Sequence, residues 1–247
     1  MELNTKIDIV IPYVNGNDSE WLKIYEKHNT NDKHYATIRF DGNDILKYVL
    51  RSIDLYLPWI NNIHLLVMMD SQVPEWVNRE KVHVVYHKDF IPESLLPVFN
   101  STAIEMFLWN IPELSEQFIY INDDMMFNQT LEPNDFFSDD KMCYVLNHAI
   151  YKNFDLLNAA YIGGFINSAK LAAYGTNVKY HTYQKVCLPA HFSSPFYKSK
   201  MQNAYKENEL AILASISKLR EEKNLNYYMK HLEVMLKNQI EMVNILL

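Results

Sequence analysis

Apolar and polar positions along this chain fall into short β-branched runs separated by stretches of helical period. Ile7 to Val14 is an apolar run closed by Asn15-Gly16-Asn17-Asp18, which predicts a buried strand ending in a polar turn. Asp18 or Ser19 then caps a helix through about Lys27, with Trp21, Leu22 and Tyr25 on its inner face. Asn43 or Asp44 caps a second helix, in which Leu46, Val49, Leu50 and Ile53 recur at spacings of three and four and Pro58 lies just beyond the end. Ile63 to Met69 and Val82 to His87 predict two more strands. Ser101 to Trp109 predicts a helix stopped before Pro112, and Phe118 to Ile121 a strand that exits into the acidic turn Asn122-Asp123-Asp124. Met142 to Leu146 adds a further short strand. Strands alternating with helices at this spacing predict an α/β domain, a mostly parallel sheet flanked by helices. In such sheets ligands gather at the carboxyl ends of the strands, where both polar turns fall.

The last third changes period. From Ser199 onward there is no Gly or Pro, and Met201 to Ser215 and Asn224 to Leu247 predict helices. In the final one Leu225, Met229, Leu232, Leu236, Ile240, Val243 and Leu247 form one apolar stripe. Its charges, Lys230 and Lys237 against Glu233 and Glu241, cancel, whereas an interfacial membrane helix is rich in Lys and Arg; the stripe is expected to pack on the core. A boundary near residue 150 divides an α/β core, 1–150, from a mostly helical portion, 151–247, that completes one integrated domain.

Composition narrows the function classes. The chain has 247 residues and a net charge of −7, which argues against a mainly electrostatic grip on nucleic acid. The five glycines, Gly16, Gly42, Gly163, Gly164 and Gly175, make neither the G-x-G of a dinucleotide loop nor the frame of a P-loop. Two cysteines, Cys143 and Cys187, announce no disulfide framework, and the start, Met1 to Lys6, is polar rather than signal-like. No apolar stretch approaches the ~20 residues of a membrane span. These features set the expectation of a soluble, cytoplasmic protein in a reducing compartment.

Within that frame, Asn122-Asp123-Asp124 places two carboxylates at the exit of a buried strand. They make either a hard oxygen site for Mg²⁺ or Mn²⁺ or an ordinary polar turn. His191, in the loop-like stretch between Pro189 and Pro195, has the pKa range of a general base toward a hydroxyl, or it is a structural histidine. Arg220 and Arg51 carry guanidinium groups of the kind that clamp phosphate oxygens, or they solvate helix faces. Asn15 and Asp18 bind a nucleotide from the first strand's end, or form the turn and the cap.

The wording and order of these segments resemble one family. Ile7-Asp-Ile-Val-Ile-Pro-Tyr-Val-Asn-Gly-Asn-Asp18 resembles the first conserved block of the Stealth sugar-phosphate transferases. Arg39-Phe-Asp-Gly-Asn-Asp-Ile-Leu-Lys47, Leu50-Arg-Ser-Ile53, Pro58-Trp-Ile60, Val73-Pro-Glu-Trp76, Leu96-Pro-Val-Phe-Asn-Ser101, Ala103-Ile-Glu105 and Phe118-Ile-Tyr-Ile-Asn-Asp-Asp-Met-Met-Phe127 resemble its long second block. Pro189-Ala-His191 looks like the third, and Ser217-Lys-Leu-Arg220 like a reduced fourth. The resemblance implies a Rossmann-like, GT-A-like nucleotide-sugar-binding core. The implied reaction moves a hexose 1-phosphate from a UDP-sugar to a hydroxyl of an acceptor glycan and releases UMP, as in capsular or exopolysaccharide synthesis. By motif position the catalytic carboxylate falls on Asp124, the general base on His191 and the phosphate-binding arginine on Arg220. Asn15, Asp18, Lys47, Arg51, Asn100 and Asn122 fall on the substrate side, and Asp123 with Asp124 on a divalent cation, Mg²⁺ or Mn²⁺. The same resemblance leaves room for a lipid-linked acceptor met at the inner face of a membrane. Two other functions share these signals: a metal-dependent glycosyltransferase that releases UDP, and a nucleotide-sugar-binding protein without turnover.

Overall fold

The computed structural model describes residues 6–29, 40, 44–138, 141–142, 168, 192–220 and 224–225. Its centre is a five-stranded sheet built from β1 (Ile7–Pro12), β2 (Ile63–Val67), β3 (Val82–Tyr86), β4 (Gln117–Tyr120) and β7 (Ser194–Tyr197), in the order β3-β2-β1-β4-β7. The first four run parallel and β7 runs antiparallel to β4. This is a Rossmann-like α/β fold. The chain places β2 and β3 to one side of β1 and β4 to the other, so the strand order reverses between β1 and β4, and a crevice opens there beyond their carboxyl ends.

Both faces of the sheet are buried, which is why β1 and β2 read as continuous apolar runs instead of alternating ones. Ile7, Ile9, Ile11, Leu65, Val67 and Ile119 point to one side, where Leu46, Val49 and Ile53 of α2 (Ile45–Tyr56) cover them. Val10, Leu66, Val85, Phe118 and Phe196 point to the other. That face is covered by α4 (Ser101–Glu105), the turn behind it and α6 (Lys198–Ser215), which contributes Met201, Tyr205 and Ile212. Each fully buried Leu, Ile or Phe here is worth about 1.5–3 kcal/mol of transfer free energy. A third, aromatic cluster joins Trp21 and Tyr25 of α1 (Ser19–His28) to Phe99, with Phe40 packed against it.

Several elements differ from the sequence pattern, each for a local reason. Asp44 stands at the N-cap of α2 but in left-handed backbone, φ 55°, and its side chain makes no cap hydrogen bond. The helix expected over 101–109 ends at Glu105, because Phe107 leaves helical geometry at φ −112°, ψ 8°, and a 3₁₀ turn, Leu108–Asn110, follows. The strand expected over 82–87 ends at Tyr86, and His87 opens α3 (His87–Phe90). β7 falls where a loop was expected. Pro195 hides it in the sequence yet is tolerated because β7 ends the strand order among the described residues. A short hairpin, β5 (Phe137–Ser138) with β6 (Lys141–Met142), follows α5 (Pro133–Phe136). Asn224 and Leu225, where the last helix was expected to begin, are not helical; the Asn224 side-chain Nδ2 instead ties this stretch to the Ser215 carbonyl and the Ser217 hydroxyl, at 2.6 and 2.7 Å. Of the strand expected over 142–146 only Met142 is described, in β6; its remainder, His191, Cys143, Cys187, the boundary near 150 and the final stripe beyond Leu225 lie outside the described residues.

A buried carboxylate locks the amino-terminal end of the sheet. Asp8, fully buried in β1, accepts from His64 Nε2 at 3.1 Å, Asn61 Nδ2 at 2.8 Å and the Ser115 amide at 2.8 Å. Burial by itself would raise its carboxyl, but the hydrogen bonds from His64, Asn61 and Ser115 outweigh it and hold Asp8 below the usual carboxylate range. A depressed folded-state value means that the stabilisation is complete above the unfolded value near 3.8 and fades as pH falls through the lower folded one. Asp8→Ala leaves buried donors without a partner and is expected to cost about 3 kcal/mol at pH 7. Urea unfolding should show that the gap from wild type shrinks below pH 4.

Candidate active site

A cavity of about 410 Å³ lies beyond the carboxyl ends of all four parallel strands. Tyr13 and Val14 enter it from β1, Met68 from β2, His87 from β3, and Asn122, Asp123 and Asp124 from β4. Ser101 and Ile104 of α4 form its roof, and Trp21 and Phe40 close one side. Phe40 reaches that wall only because residue 16 is glycine: the Gly16 amide donates to the Phe40 carbonyl at 2.9 Å, and a Cβ on residue 16 would sit 2.5 Å from that oxygen. Two of the sequence features therefore meet in one place. The polar turn after β1 shapes one wall, and the acidic turn after β4 supplies the charge.

Burial, and then the charge of Asp124, pushes the Asp123 carboxyl up to about 7. Burial likewise lifts the Tyr13 phenol to about 12, helped by the charges of Asp123 and Asp44. Asp124 itself is exposed. Adjacent carboxylates that repel one another fit a divalent cation, whose charge would relieve that repulsion, and hard oxygens suit Mg²⁺ or Mn²⁺. Among the described residues no group of three or more His, Cys, Asp or Glu side chains converges, so water or phosphate oxygens would have to complete the shell.

The remaining expected site residues divide by what they touch. Asp18 caps α1, accepting from the Glu20 and Trp21 amides, and takes further hydrogen bonds from Ser71 Oγ at 2.6 Å and Gln72 Nε2 at 3.1 Å. Those donors hold it below the usual carboxylate range although burial opposes them. Asn15 accepts from Gln72 Nε2 through its carbonyl and from the Asn17 amide through its side chain. Both residues build the turn, and Gln72, which they hold, lines the cavity. Lys47 lies over the Trp76 ring and Arg51 over the Tyr48 ring, on the outer surface of α2 and away from the cavity lining.

Asn100 is fully buried and has a structural task. It caps α4 by accepting from the Thr102 amide and hydroxyl, and it donates to the Leu219 carbonyl at 3.4 Å and to Asn224 Oδ1 at 2.9 Å. The Phe99 amide donates to the Lys218 carbonyl at 2.8 Å, and Lys218 Nζ to the Leu96 carbonyl at 3.1 Å. Residues 218–220 are thus strapped along 96–101. The strap brings Arg220 to Ser101, whose Oγ accepts from Arg220 Nη2 at 2.8 Å; Ser101 lines the cavity, and Arg220 stands one hydrogen bond removed from that lining.

Sequence reading named no role for Glu105, Tyr120, His87 or Gln72. Glu105 is buried at the end of α4, and burial pushes its carboxyl up to about 7 against the pull of the Tyr120 hydroxyl and the Arg220 charge. Tyr120 Oη lies 2.8 Å from Glu105 Oε1 and 2.9 Å from Asn122 Oδ1. A phenol has one proton, so either Glu105 is protonated and donates to it, or Asn122 turns its amide nitrogen toward it. The only signal for Glu105 was its place in Ala103-Ile-Glu105. His191 lies outside the described residues.

The family model for Stealth protein CR2, conserved region 2, matches residues 39–145. Exopolysaccharide phosphotransferase cps2G of Lactiplantibacillus plantarum is 41% identical over 136 residues, covering 54% of this chain and 40% of that protein. Capsular polysaccharide phosphotransferase WcwK of Streptococcus pneumoniae is 36% identical over 138 residues, 54% of this chain and 41% of its own length. Capsular polysaccharide phosphotransferase cps12A of Actinobacillus pleuropneumoniae is 32% identical over 233 residues, 90% of this chain and 61% of its own. The chain therefore spans less than two thirds of the length of these relatives.

The strap gives a direct test. Asn100→Ala removes two donated and two accepted hydrogen bonds in a buried setting and is expected to cost about 2–3 kcal/mol in urea unfolding.

Proposed function

We infer, from the membership of this chain in the Stealth family that its second conserved region establishes, that it carries the catalytic core of a sugar-phosphate transferase. The observation that carries the reading is the cavity at the β1–β4 reversal, with Asp123 and Asp124 at the β4 end and, in its roof, Ser101, which accepts a hydrogen bond from Arg220. The names of the relatives, exopolysaccharide and capsular polysaccharide phosphotransferases, support the same chemistry. The donor in this proposal is a UDP-sugar and the acceptor a hydroxyl of a glycan, in capsular or exopolysaccharide synthesis. Among the described residues no helix is long and apolar enough to cross a membrane.

In the proposed reaction the acceptor oxygen bonds to the phosphorus that bears the sugar, the anhydride P–O bond to UMP breaks, and the hydroxyl proton passes to a base. His191 is the base in this scheme. A divalent cation held by Asp123 and Asp124 would neutralise diphosphate charge and stabilise the departing phosphate. Arg220, fixed by Ser101 and by the strap beneath it, offers a guanidinium fork for phosphate oxygens. Because phosphoryl transfer relies on positioning and charge, the rigid placement of that group matters more than its count of contacts. Glu105 sets its surroundings: its carboxyl feels the Arg220 charge, and burial, which pushes it up to about 7, weakens its ionised form as a partner for that charge.

Incubation of the protein with Mg²⁺, a glycan acceptor and a panel of UDP-sugars should release UMP. Release of UDP would point to glycosyl transfer, and binding without either product to a non-catalytic protein. Asp124→Asn and Arg220→Lys are each expected to slow turnover by about 10²-fold or more, as loss of a preorganised electrostatic contact does. Asp124 is exposed, so its variant should keep the wild-type melting temperature.

A further inference from the structure

One buried polar group on the cavity wall has no task in that scheme. His87 is 6% exposed, follows β3 directly and lines the cavity. Its Nδ1 is buried and makes no hydrogen bond among the described residues. The ring packs edge-on against Phe90, with centroids 6.1 Å apart and planes at 88°. Burial pushes the imidazole down to about 4, so it is neutral at physiological pH. A buried nitrogen without a partner destabilises the fold, and an apolar side chain of similar size would not carry that cost.

Position separates His87 from the reacting phosphate. In the order β3-β2-β1-β4, three strand steps lie between the ends of β3 and β4. At about 4.8 Å per step, His87 stands roughly 14 Å along the sheet from the acidic corner. A ligand that meets both must be long, and a nucleotide sugar is such a ligand. A neutral imidazole is a weak partner for a phosphate and a good one for an uncharged hydroxyl, carbonyl or imide. Met68 and Val98, which line the same cavity, add apolar surface rather than charge.

We propose that His87 is a donor-binding residue, whose imidazole hydrogen-bonds an uncharged polar group at the end of the nucleotide sugar remote from Asp123 and Asp124. The inference rests on the transferase reading above and deepens it, assigning to the β3 end the discrimination among donors. The group contacted belongs either to the uracil base or to the sugar, and these two sources respond differently to substitution.

The test measures binding of UDP, UDP-glucose and UDP-N-acetylglucosamine by calorimetry with Mg²⁺, on the wild type and on His87→Leu and His87→Asn. For a base contact, His87→Leu weakens all three ligands about tenfold or more. For a sugar contact it weakens only the UDP-sugars. His87→Asn, which keeps a hydrogen-bonding nitrogen near Nδ1, restores part of the loss. In turnover, KM rises with the same ratio while kcat stays within about threefold, because the residue is far from the phosphate. His87→Leu should also melt no lower than wild type, since it removes an unsatisfied buried nitrogen. Unchanged affinities and KM in both variants, or a lower melting temperature with unchanged affinities, would make His87 a packing residue and overturn the proposal. A wild-type protein that binds none of the three ligands would remove the transferase reading itself, and this inference with it.

Discussion

The amide of Asn100 joins parts of the chain more than a hundred residues apart, and the cavity depends on that union. Its donors hold Leu219 and Asn224, its acceptor caps α4, and the neighbouring Phe99 amide takes the Lys218 carbonyl. The parallel strands alone would present an open crevice at the β1–β4 reversal. With the strap in place, that crevice acquires a roof in Ser101 and Ile104, and Arg220 is held on the Ser101 hydroxyl. A buried hydrogen-bond network suits this work because every partner it loses is expensive, so the segment has one arrangement instead of several.

Electrostatics around the site follow from burial more than from net charge. Asp123 and Glu105 are both pushed to about 7, and His87 down to about 4, with desolvation the largest cause in each. All three shifts favour the neutral form. On the cavity wall the Asp123 shift takes part of the negative charge off the surface proposed to receive a diphosphate, while His87 there carries no positive charge. Asp8 shows the opposite balance: it is as deeply buried, but three donors keep it ionised. The difference between a carboxylate that holds the sheet and one poised to change state is the number of hydrogen bonds it accepts.

Much of the fold was legible because it is written in local period. The runs at Ile7, Ile63, Val82 and Phe118 became the four parallel strands, and the two capped helices formed within a residue or two of their predicted limits. β7 was illegible, because four residues containing a proline form a strand only where a sheet edge waits for them. The helix predicted over 101–109 failed for a similar reason: α4 ends where the chain must turn into the core beside Phe107, a demand made by packing and not by propensity. The site divides in the same way. Asp123 and Asp124 stood out as adjacent carboxylates after a strand, whereas Glu105 and His87 look like any acid and any histidine until burial singles them out.

The chain alone thus determined the alternation of strands and helices, the two polar turns at strand ends and the order of motifs that marks its family, since each depends on residues close in sequence. Tertiary structure decided which of those motifs meet. Asn100, expected at the substrate, became the buried bolt of a strap; Lys47 and Arg51 turned to the outer surface of α2; Arg220 arrived from the far end of the chain at Ser101, a residue of the cavity's roof. Strand order and desolvation are properties of contacts between distant segments, and no local pattern of side chains encodes either one.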